Sequence, residues 1–473
     1  MSAHYDVAVI GAGPGGYVAA IRAAQLGAKV AVIDPREGGG GTCLHVGCIP
    51  TKALVQSAWL LDHMKSAEKF GVMASNVELD FGRAARNKDK TVDGLVKGVT
   101  GLIKANGIDF LHGMAQFVDA NTLSIGGDQI TFDKAIVATG SSPVRPPIPG
   151  IDDSRCVDST GMLSLEEQPR RVIVLGGGVI GSEFASIYAT FGSEVTIIEM
   201  LPRLIAAEDQ EASKALEKEF KKKKVALQLG SRVERLEGAA SGVTAHFSKE
   251  DGSTGSIEAD IVLVATGRGP NVTDLGLEAA GVSYDPRAGI ATNEEMRTNV
   301  ANIFAIGDVA GKWQLAHTAS REGEVAAENA LGHAALIDYK AVPRVVYTDP
   351  EIAAVGLTEE QAREEYGDDI AIGTFPFAAN SRAQIYGDTT GFVKVIYETR
   401  WHELLGVVMV GSHVSDMISA GVNALEAEST IETIAHSIQA HPTLAESIKE
   451  AGLDALGQVV HMPPRKRPAA ARA

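Results

Sequence analysis

Two cysteines, Cys43 and Cys48, lie five residues apart in the stretch GTCLHVGCIPTK, just before a helical segment predicted at residues 53–64. In an ideal α-helix this separation places the two Cα atoms about 8–9 Å apart, whereas a disulfide needs about 4.4–6.8 Å. A bond between the sulfurs therefore requires one cysteine to leave regular helix, and Gly47 supplies the necessary flexibility. By itself, the stretch also fits two unrelated buried thiols.

The cysteine content and the charge restrict the class of protein. The chain has 473 residues, three cysteines and a net charge of −17. So few cysteines do not form a secreted disulfide framework, and a redox pair in a reducing compartment would be catalytic. The negative charge argues against nucleic acid as a general partner, and no apolar run reaches the ~18 residues of a membrane span. A strand predicted to begin near His4 leaves no room for a targeting sequence. We expect a cytoplasmic protein, although a mature mitochondrial matrix form fits the same sequence.

A glycine-rich pattern precedes the cysteines. An apolar run, the sequence GAGPGG, an alanine-rich helical stretch and a second apolar run that ends at Asp34 follow one another. Gly11 would make the tight turn, Gly13 would admit a pyrophosphate, and Gly16 would let the helix pack on the strand. Asp34 can accept hydrogen bonds from a ribose hydroxyl. This context predicts a Rossmann-like domain that binds a dinucleotide.

The same pattern recurs after a predicted linker at residues 142–149, which contain four prolines. The three glycine positions are now Gly176, Gly178 and Gly181, and the second strand ends at Glu199. Glu199 follows Gly176 by 23 residues, the same distance that separates Asp34 from Gly11 in the first pattern. The repeat predicts a second dinucleotide-binding domain. A carboxylate at Glu199 favours a free ribose 2′-hydroxyl over a 2′-phosphate, which predicts NAD rather than NADP.

The last third of the chain changes character. From about residue 343, alternating apolar runs followed by short helices predict an antiparallel sheet with helices.

His441 is followed by Pro442; a histidine with a pKa of about 6.5 can take a proton from a thiol, but a structural histidine fits equally. Asp308, after an apolar strand, suits either a cofactor contact or a helix cap. Residues 463–473, rich in proline, alanine and basic residues, are predicted to be disordered.

In their order along the chain, these motifs resemble the pyridine nucleotide-disulfide oxidoreductase family, and most closely its branch that oxidises dihydrolipoyl groups with NAD⁺. The resemblance runs from residue 5 to residue 462. It implies an α/β fold with two Rossmann-like dinucleotide-binding domains plus a C-terminal α+β dimerisation domain. The implied divisions are 1–149 and 271–342 for FAD, 150–270 for NAD, 343–462 for the dimer interface, and 463–473 for the tail.

The resemblance also implies a relay of electrons from a dithiol to tightly, non-covalently bound FAD and then to NAD⁺. Cys43 would exchange with the substrate and Cys48 would face the flavin. Lys52 would lie near the flavin and pair with Glu183. No metal is expected. Further cofactor contacts are implied for Thr42, Ala115, Thr139, Gly140, Ser141, Asp308, Gln314, Leu315, Ala316, His317, Val179, Ile180, Val233 and Gly267.

The resemblance further implies a homodimer in which His441 of the partner subunit acts as acid and base, oriented by Glu446. The His441-Pro442 bond is cis in the family. The implied partners are a lipoylated E2 subunit or lipoyl carrier protein, and the E3-binding domain of E2 in 2-oxo acid dehydrogenase complexes.

Several positions depart from the family pattern without removing an electron-transfer group. They are His45 for asparagine, Thr51 for serine, Gly269 for arginine, Gln314 for methionine and Gln439 for histidine. His45 lies between the cysteines, where it could alter thiolate stability or be a surface histidine.

Two alternatives fit parts of the sequence. An NADPH-dependent reductase of the same family would have alanine in place of Gly181 and arginines near Glu199. A scaffold protein with this fold could lack turnover, but it would not need the intact cysteines, and it would be colourless when purified.

Overall fold

The structure is a computed structural model that describes residues 3–239 and 241–463. Most of the predicted disordered tail therefore lies outside the described residues. The chain forms two compact units, one of Met1–Gln168 with Leu263–Asp338 and the other of Pro169–Val262 with Tyr339–Ala473. The finer division into a FAD domain, a NAD domain and an interface domain stays a prediction. Among the described residues, no helix is both long and apolar enough to cross a bilayer.

Helices and strands alternate over most of the described chain. In chain order, the strands β1 to β22 are Ala3–Ile10, Val30–Asp34, Asp109–His112, Ala115–Asp119, Thr122–Ile125, Asp128–Val137, Ser141–Pro143, Cys156–Val157, Arg171–Leu175, Glu194–Ile198, Ala226–Gln228, Ser231–Ala239, Gly242–Lys249, Thr254–Ala259, Ile261–Val264, Arg268–Pro270, Ile303–Ala305, Arg344–Val346, Glu351–Gly356, Ile370–Pro376, Phe392–Glu398 and Leu404–Gly411. The α-helices α1 to α14 are Pro14–Gln25, Gly41–Val46, Cys48–Lys65, Phe81–Ala105, Ser159–Leu163, Val179–Phe191, Gln210–Lys222, Ala316–Ala330, Glu359–Tyr366, Ser381–Tyr386, Val414–Met417, Ser419–Glu426, Ile431–Ala435 and Glu446–Ala455. Short 3₁₀ helices cover Ala67–Phe70, Gly307–Ala310 and Phe377–Ala379.

The first unit is built on a mixed sheet in the order β3-β2-β1-β6-β5-β4, with β17 also paired to β6. Strands β3, β2, β1, β6 and β17 run parallel, and β5 and β4 are antiparallel additions. The middle of β1 is buried on both faces, as expected for a parallel sheet covered on both sides. Helices α1 and α8 approach closely: a Cβ on Gly323 would lie 2.5 Å from the carbonyl oxygen of Gly15.

The second unit contains a parallel sheet and two antiparallel sheets. Strands β11, β10 and β9 lie side by side and parallel, and β12, β13 and β14 form a separate antiparallel meander. The C-terminal sheet has the order β18-β19-β22-β21-β20 and is antiparallel throughout. Helix α14 packs on β20 so closely that a Cβ on Gly373 would lie 1.9 Å from the carbonyl oxygen of Ala451. The predicted α/β class and the antiparallel C-terminal sheet are confirmed.

One helix begins earlier than the sequence predicts. The helix expected over residues 53–64 starts at Cys48 and ends at Lys65. The backbone breaks at Gly47, with φ −138° and ψ −111°, so a new helix can begin at the next residue. Pro50 lies in the first turn, where a missing backbone N–H removes no intrahelical hydrogen bond.

Candidate active site

The redox stretch consists of two helices separated by a single residue. Cys43 lies in α2 and Cys48 is the first residue of α3, with Gly47 between the two helices. A Cβ on Gly47 would lie 2.9 Å from the carbonyl oxygen of Thr42 and 3.3 Å from the Cα of Cys43. Any side chain at this position would press on the backbone of Thr42 and Cys43, and the pair does not share one regular helix.

The two thiols are in contact with each other without forming a disulfide. Both cysteines are half-buried. The hydrogen bond with Cys48 and burial raise the pKa of Cys43, while the charge of Lys52 and the backbone N–H of Cys48 act to lower it. Cys43 therefore keeps its proton until a base removes it, and Lys52 is the nearby cation that favours the thiolate.

His45 is half-buried rather than fully exposed. Its Nε2 atom is buried and has no hydrogen-bond partner among the described residues. A buried polar atom without a partner is uncommon in proteins, and this one belongs to a side chain between the two cysteines.

The redox stretch is attached to the first glycine pattern. The Gly40 N–H donates to the carbonyl oxygen of Ala12 at 2.7 Å. A Cβ on Gly41 would lie 2.5 Å from the Cα of Gly13. The start of α2 thus rests directly on the loop where a pyrophosphate is expected.

The first pattern has the backbone geometry of a dinucleotide site. Gly11 has φ +105°, and a Cβ on Gly16 would lie 1.9 Å from the carbonyl oxygen of Gly11. Gly13 is the N-cap of α1, so the free N–H groups of the helix start can face an anion. Asp34 ends β2 and accepts hydrogen bonds from the N–H groups of Ala12 and Arg36 at 2.7 and 2.8 Å. These residues fit the group that the sequence predicts.

The second pattern repeats this arrangement. Gly176 has φ +102°, Gly178 is the N-cap of α6, and a Cβ on Gly181 would lie 1.9 Å from the carbonyl oxygen of Gly176. Glu199, after β10, accepts hydrogen bonds from the N–H groups of Gly177 and Leu201. These two hydrogen bonds fix the Glu199 carboxylate beside the glycine loop.

A half-buried acid in the first unit, Asp308, lies in a polar network. Ser141 donates a hydrogen bond to Asp308, and the Arg268 guanidinium donates to the Ser141 hydroxyl at 2.8 Å and to its carbonyl oxygen at 2.6 Å. Burial raises the pKa of Asp308, and the hydrogen bond from Ser141 and the charge of Arg268 oppose that rise. Burial lowers the pKa of Arg268, against the neighbouring charges of Asp308 and Cys48.

Arg268 was not predicted as a site residue. Its signal in the sequence is its position directly after Ala265-Thr266-Gly267, which repeats the Ala-Thr-Gly of residues 138–140. Its contact with Ser141 depends on the antiparallel pairing of β16 with β7. Asn271 was also missed: it accepts a hydrogen bond from the Thr139 hydroxyl at 2.8 Å and donates its backbone N–H to Gly140 at 2.9 Å.

The start of α8 joins the same region. Gln314 donates its side-chain amide to the carbonyl oxygen of Arg268 at 3.2 Å. Leu315 is the N-cap of α8, Ala316 begins the helix and His317 follows in its first turn. The residues predicted at 139–141, 308 and 314 are thus brought together by one network.

The second unit holds a histidine–carboxylate pair. His441 Nδ1 lies 2.9 Å from Glu446 Oε1, and the Thr443 N–H donates to Glu446 Oε2 at 2.9 Å. Burial acts to raise the pKa of Glu446, but the Thr443 N–H and His441 together lower it. The His441-Pro442 peptide bond is cis, as expected, and the His441 side chain is 71% exposed.

The other predicted contacts are more dispersed. Thr42 lies in α2 with its hydroxyl 3.5 Å from Arg36, Ala115 is buried at the start of β4, Val233 lies in β12, and Gly267 has φ +120°. Val179 and Ile180 open helix α6.

Lys52 belongs to the first unit and the buried Glu183 to the second. Glu183 accepts a hydrogen bond from the backbone N–H of Tyr347 at 3.0 Å. The roles of all these residues stay predictions.

Comparison with known proteins places the whole architecture in one family. Residues 5–323 match the family described as pyridine nucleotide-disulphide oxidoreductase. Residues 342–452 match its dimerisation domain. Together the two matches cover most of the chain.

Similar proteins agree with this assignment. Dihydrolipoyl dehydrogenase of Geobacillus stearothermophilus is 44% identical over 97% of both chains, and that of Mycobacterium tuberculosis is 42% identical over 97% of this chain and 99% of its own. The Cu(II) complex of the HOCl-induced flavoprotein disulfide reductase RclA from Escherichia coli has a TM-score of 0.86 at 32% identity, covering 96% of this chain and 99% of that one. The chain therefore belongs to the pyridine nucleotide-disulphide oxidoreductase family.

Proposed function

We propose that this protein oxidises dihydrolipoyl groups to lipoyl groups with NAD⁺, using Cys43 and Cys48 as a redox-active pair. The observation that carries the proposal is the contact between these thiols across the Gly47 break, attached to the first glycine pattern. The similarity over nearly full length to proteins named dihydrolipoyl dehydrogenase supports this substrate.

The cysteines act by thiol–disulfide exchange. With the pair oxidised, a substrate thiolate attacks the Cys43 sulfur, forms a mixed disulfide and expels Cys48 as a thiolate. The second substrate thiol then attacks the substrate sulfur of the mixed disulfide, which closes the lipoyl ring and expels Cys43. The pair has gained two electrons, and the two substrate protons have passed to acceptors in the protein.

Lys52 and the backbone N–H of Cys48 assist the departure of Cys43, because both favour its thiolate. When bound, FAD would supply a two-electron acceptor for the reduced pair, with NAD⁺ as the final acceptor. Cys48 would face that cofactor, and Lys52 would pair with Glu183.

The two glycine patterns hold the two dinucleotides. Gly11, Gly13, Gly16 and Asp34 would hold FAD, with Ser141 and Asp308 as polar contacts. Gly176, Gly178, Gly181 and Glu199 would hold NAD, because the fixed carboxylate of Glu199 repels a 2′-phosphate. The corresponding division is 1–149 and 271–342 for FAD, 150–270 for NAD and 343–462 for the interface.

A homodimer would complete the site. His441 is largely exposed and paired with Glu446, a pairing that leaves Nε2 available to exchange a proton. We propose that it serves the cysteines of a second copy, and that a lipoylated E2 subunit or carrier protein delivers the substrate. A reducing compartment such as the cytoplasm suits a catalytic cysteine pair.

The decisive assay is NAD⁺ reduction by dihydrolipoamide with purified, yellow holoenzyme. Cys43→Ser and Cys48→Ser should each abolish turnover while flavin stays bound. Cys156→Ser is the matched control, because this buried cysteine lies outside the pair, and it should keep activity. Full activity in either of the first two variants would refute the mechanism. Efficient reduction of glutathione disulfide with NADPH would instead refute the assigned substrate and nucleotide.

A further inference from the structure

The segment between β10 and α7 packs on the middle of the second glycine pattern. We call residues 203–209 the brace. Within it, Leu204 and Ile205 are buried. The Ile205 N–H donates to the carbonyl oxygen of Gly177 at 2.8 Å, and a Cβ on Gly177 would lie 2.5 Å from the Leu204 side chain. The brace therefore sets the position of the loop that carries Gly176 and Gly178.

The brace has an unfavourable backbone conformation at the point of contact. Ile205 has φ +42°, which a β-branched residue rarely adopts because its side chain then crowds the backbone. Such a conformation costs about 1–3 kcal/mol and persists only when the surrounding structure holds it. The residues on either side of Ile205 must therefore be anchored.

Two ion pairs anchor the brace to residues of the C-terminal part of the same unit. Glu208 is buried and lies 3.1 Å from the Arg344 guanidinium in β18. Arg203 lies 3.0 Å from Glu360 in α9 and also donates to the carbonyl oxygen of Ala206 at 2.8 Å.

The strongest anchor is a buried lysine at the end of the brace. The Lys394 side chain in β21 is 1% exposed, and its Nζ lies 3.0 and 3.1 Å from the two oxygens of Asp209, the last brace residue. Glu211 and Glu359 approach the same Nζ at 2.7 and 3.0 Å. Asp209 also accepts the N–H of Glu211 at 2.9 Å and caps α7.

Removing the ammonium group would leave three carboxylates close together without their shared cation. Like charges at such distances repel, and a buried charge without a partner is costly. Glu211 is 54% exposed and Glu359 27% exposed, so both can turn toward solvent, whereas Asp209 is 1% exposed and would stay buried without its cation. A movement of Asp209 that relieves this cost would release the end of the brace.

We propose that Lys394 is a positioning residue for the nicotinamide nucleotide: through Asp209 it holds the brace against Gly177 and so sets the affinity of the second dinucleotide site from the antiparallel sheet. The inference rests on the proposed function in one respect, namely that this site binds NAD. It assigns to the sheet a role in nucleotide binding in addition to its place in the dimerisation domain.

The test compares K394M with wild type as purified holoenzymes. We expect the Kd for NADH, measured by calorimetric titration, and the KM for NAD⁺ to rise about tenfold. The KM for dihydrolipoamide and the flavin content should stay unchanged. K214M is the matched control, because Lys214 carries the same charge on the exposed face of α7 and contacts only the Gln210 side chain among the hydrogen bonds seen; it should bind NADH like wild type. K394R retains the charge and should recover part of the affinity.

A folded K394M that binds NADH with wild-type affinity would overturn the proposal, since a lysine that only stabilises the fold would lower the melting temperature and leave the Kd alone. If K394M does not fold, E208Q decides: it keeps the Lys394 cluster and weakens one anchor. A rise of about threefold in the Kd supports the brace, and a wild-type Kd overturns it. NADH binding is measured directly and does not depend on turnover. If the wild-type enzyme were inactive with dihydrolipoamide and K394M still bound NADH more weakly than wild type, the proposed function would be refuted and this inference upheld.

Discussion

Replacing Gly47 with alanine should move Cys43 away from Cys48 while leaving both sulfurs in the protein. The new methyl group would lie 2.9 Å from the Thr42 carbonyl oxygen and 3.3 Å from the Cys43 Cα. Both neighbours are backbone atoms, so neither can rotate away as a side chain could. The backbone around Cys43 must therefore shift by a few tenths of an ångström.

The cost of this shift follows from overpacking. Forcing an extra carbon into a filled site typically destabilises a protein by about 1–3 kcal/mol. The smaller entropy of alanine in the unfolded chain offsets about 0.4–1 kcal/mol. We expect a net loss of about 1–2 kcal/mol in the free energy of unfolding, with the displacement concentrated at the redox pair.

The displacement should also change the thiol chemistry. The hydrogen bond with Cys48 is the main cause of the raised pKa of Cys43, so a longer bond should lower that pKa. Alkylation of Cys43 by iodoacetamide in the reduced enzyme, followed by mass spectrometry, should begin at lower pH in G47A. Turnover should fall by about tenfold or more, because small misplacements of reacting groups are costly.

Gly98 provides the matched control. It lies inside helix α4, and a Cβ there would meet no atom within 4 Å. G98A should be neutral or stabilising by up to about 1 kcal/mol, because alanine is the better helix former. If G47A shows the melting temperature, alkylation profile and turnover of wild type, the close approach at Gly47 does not hold the cysteine pair, and the reasoning fails.

Four further variants test other parts of the site. G16A and G181A each place a Cβ 1.9 Å from a carbonyl oxygen of their own glycine pattern. G16A should lose flavin, which the absorbance spectrum would show. G181A should keep flavin and lose affinity for NADH, which calorimetric titration would show. H441Q should reduce turnover by about 10²–10⁴-fold with flavin content unchanged, and a rate near wild type would exclude His441 as the base. Because the pKa of Glu446 is lowered from its ordinary value of 4.5, its carboxylate stabilises the fold at pH values above 4.5, and this stabilisation is lost as pH falls through the lowered pKa. E446Q should therefore be less stable than wild type in urea unfolding at pH 7, and the difference should shrink on acidification. A difference that does not change with pH would contradict this.

Local patterns in the sequence determined much of the fold and the identity of the reactive groups. At the five-residue spacing of Cys43 and Cys48, a bond between the sulfurs would require a break in the helix, and Gly47 was the residue available to make it. The repeated glycine patterns, each followed after 23 residues by an acid, predicted the paired dinucleotide sites. All these features depend on residues close together in the chain, whose periodicity and backbone preferences sequence alone reveals.

Tertiary structure decided the contacts between residues far apart in the chain. Arg268 reaches Ser141, 127 positions away, because β16 pairs with β7, and Lys394 reaches Asp209, 185 positions away. The burial of the His45 Nε2 atom likewise depends on what packs around α2. Such contacts are set by sheet register and by the packing of helices on sheets, and neither the spacing nor the type of a residue encodes which distant group will face it.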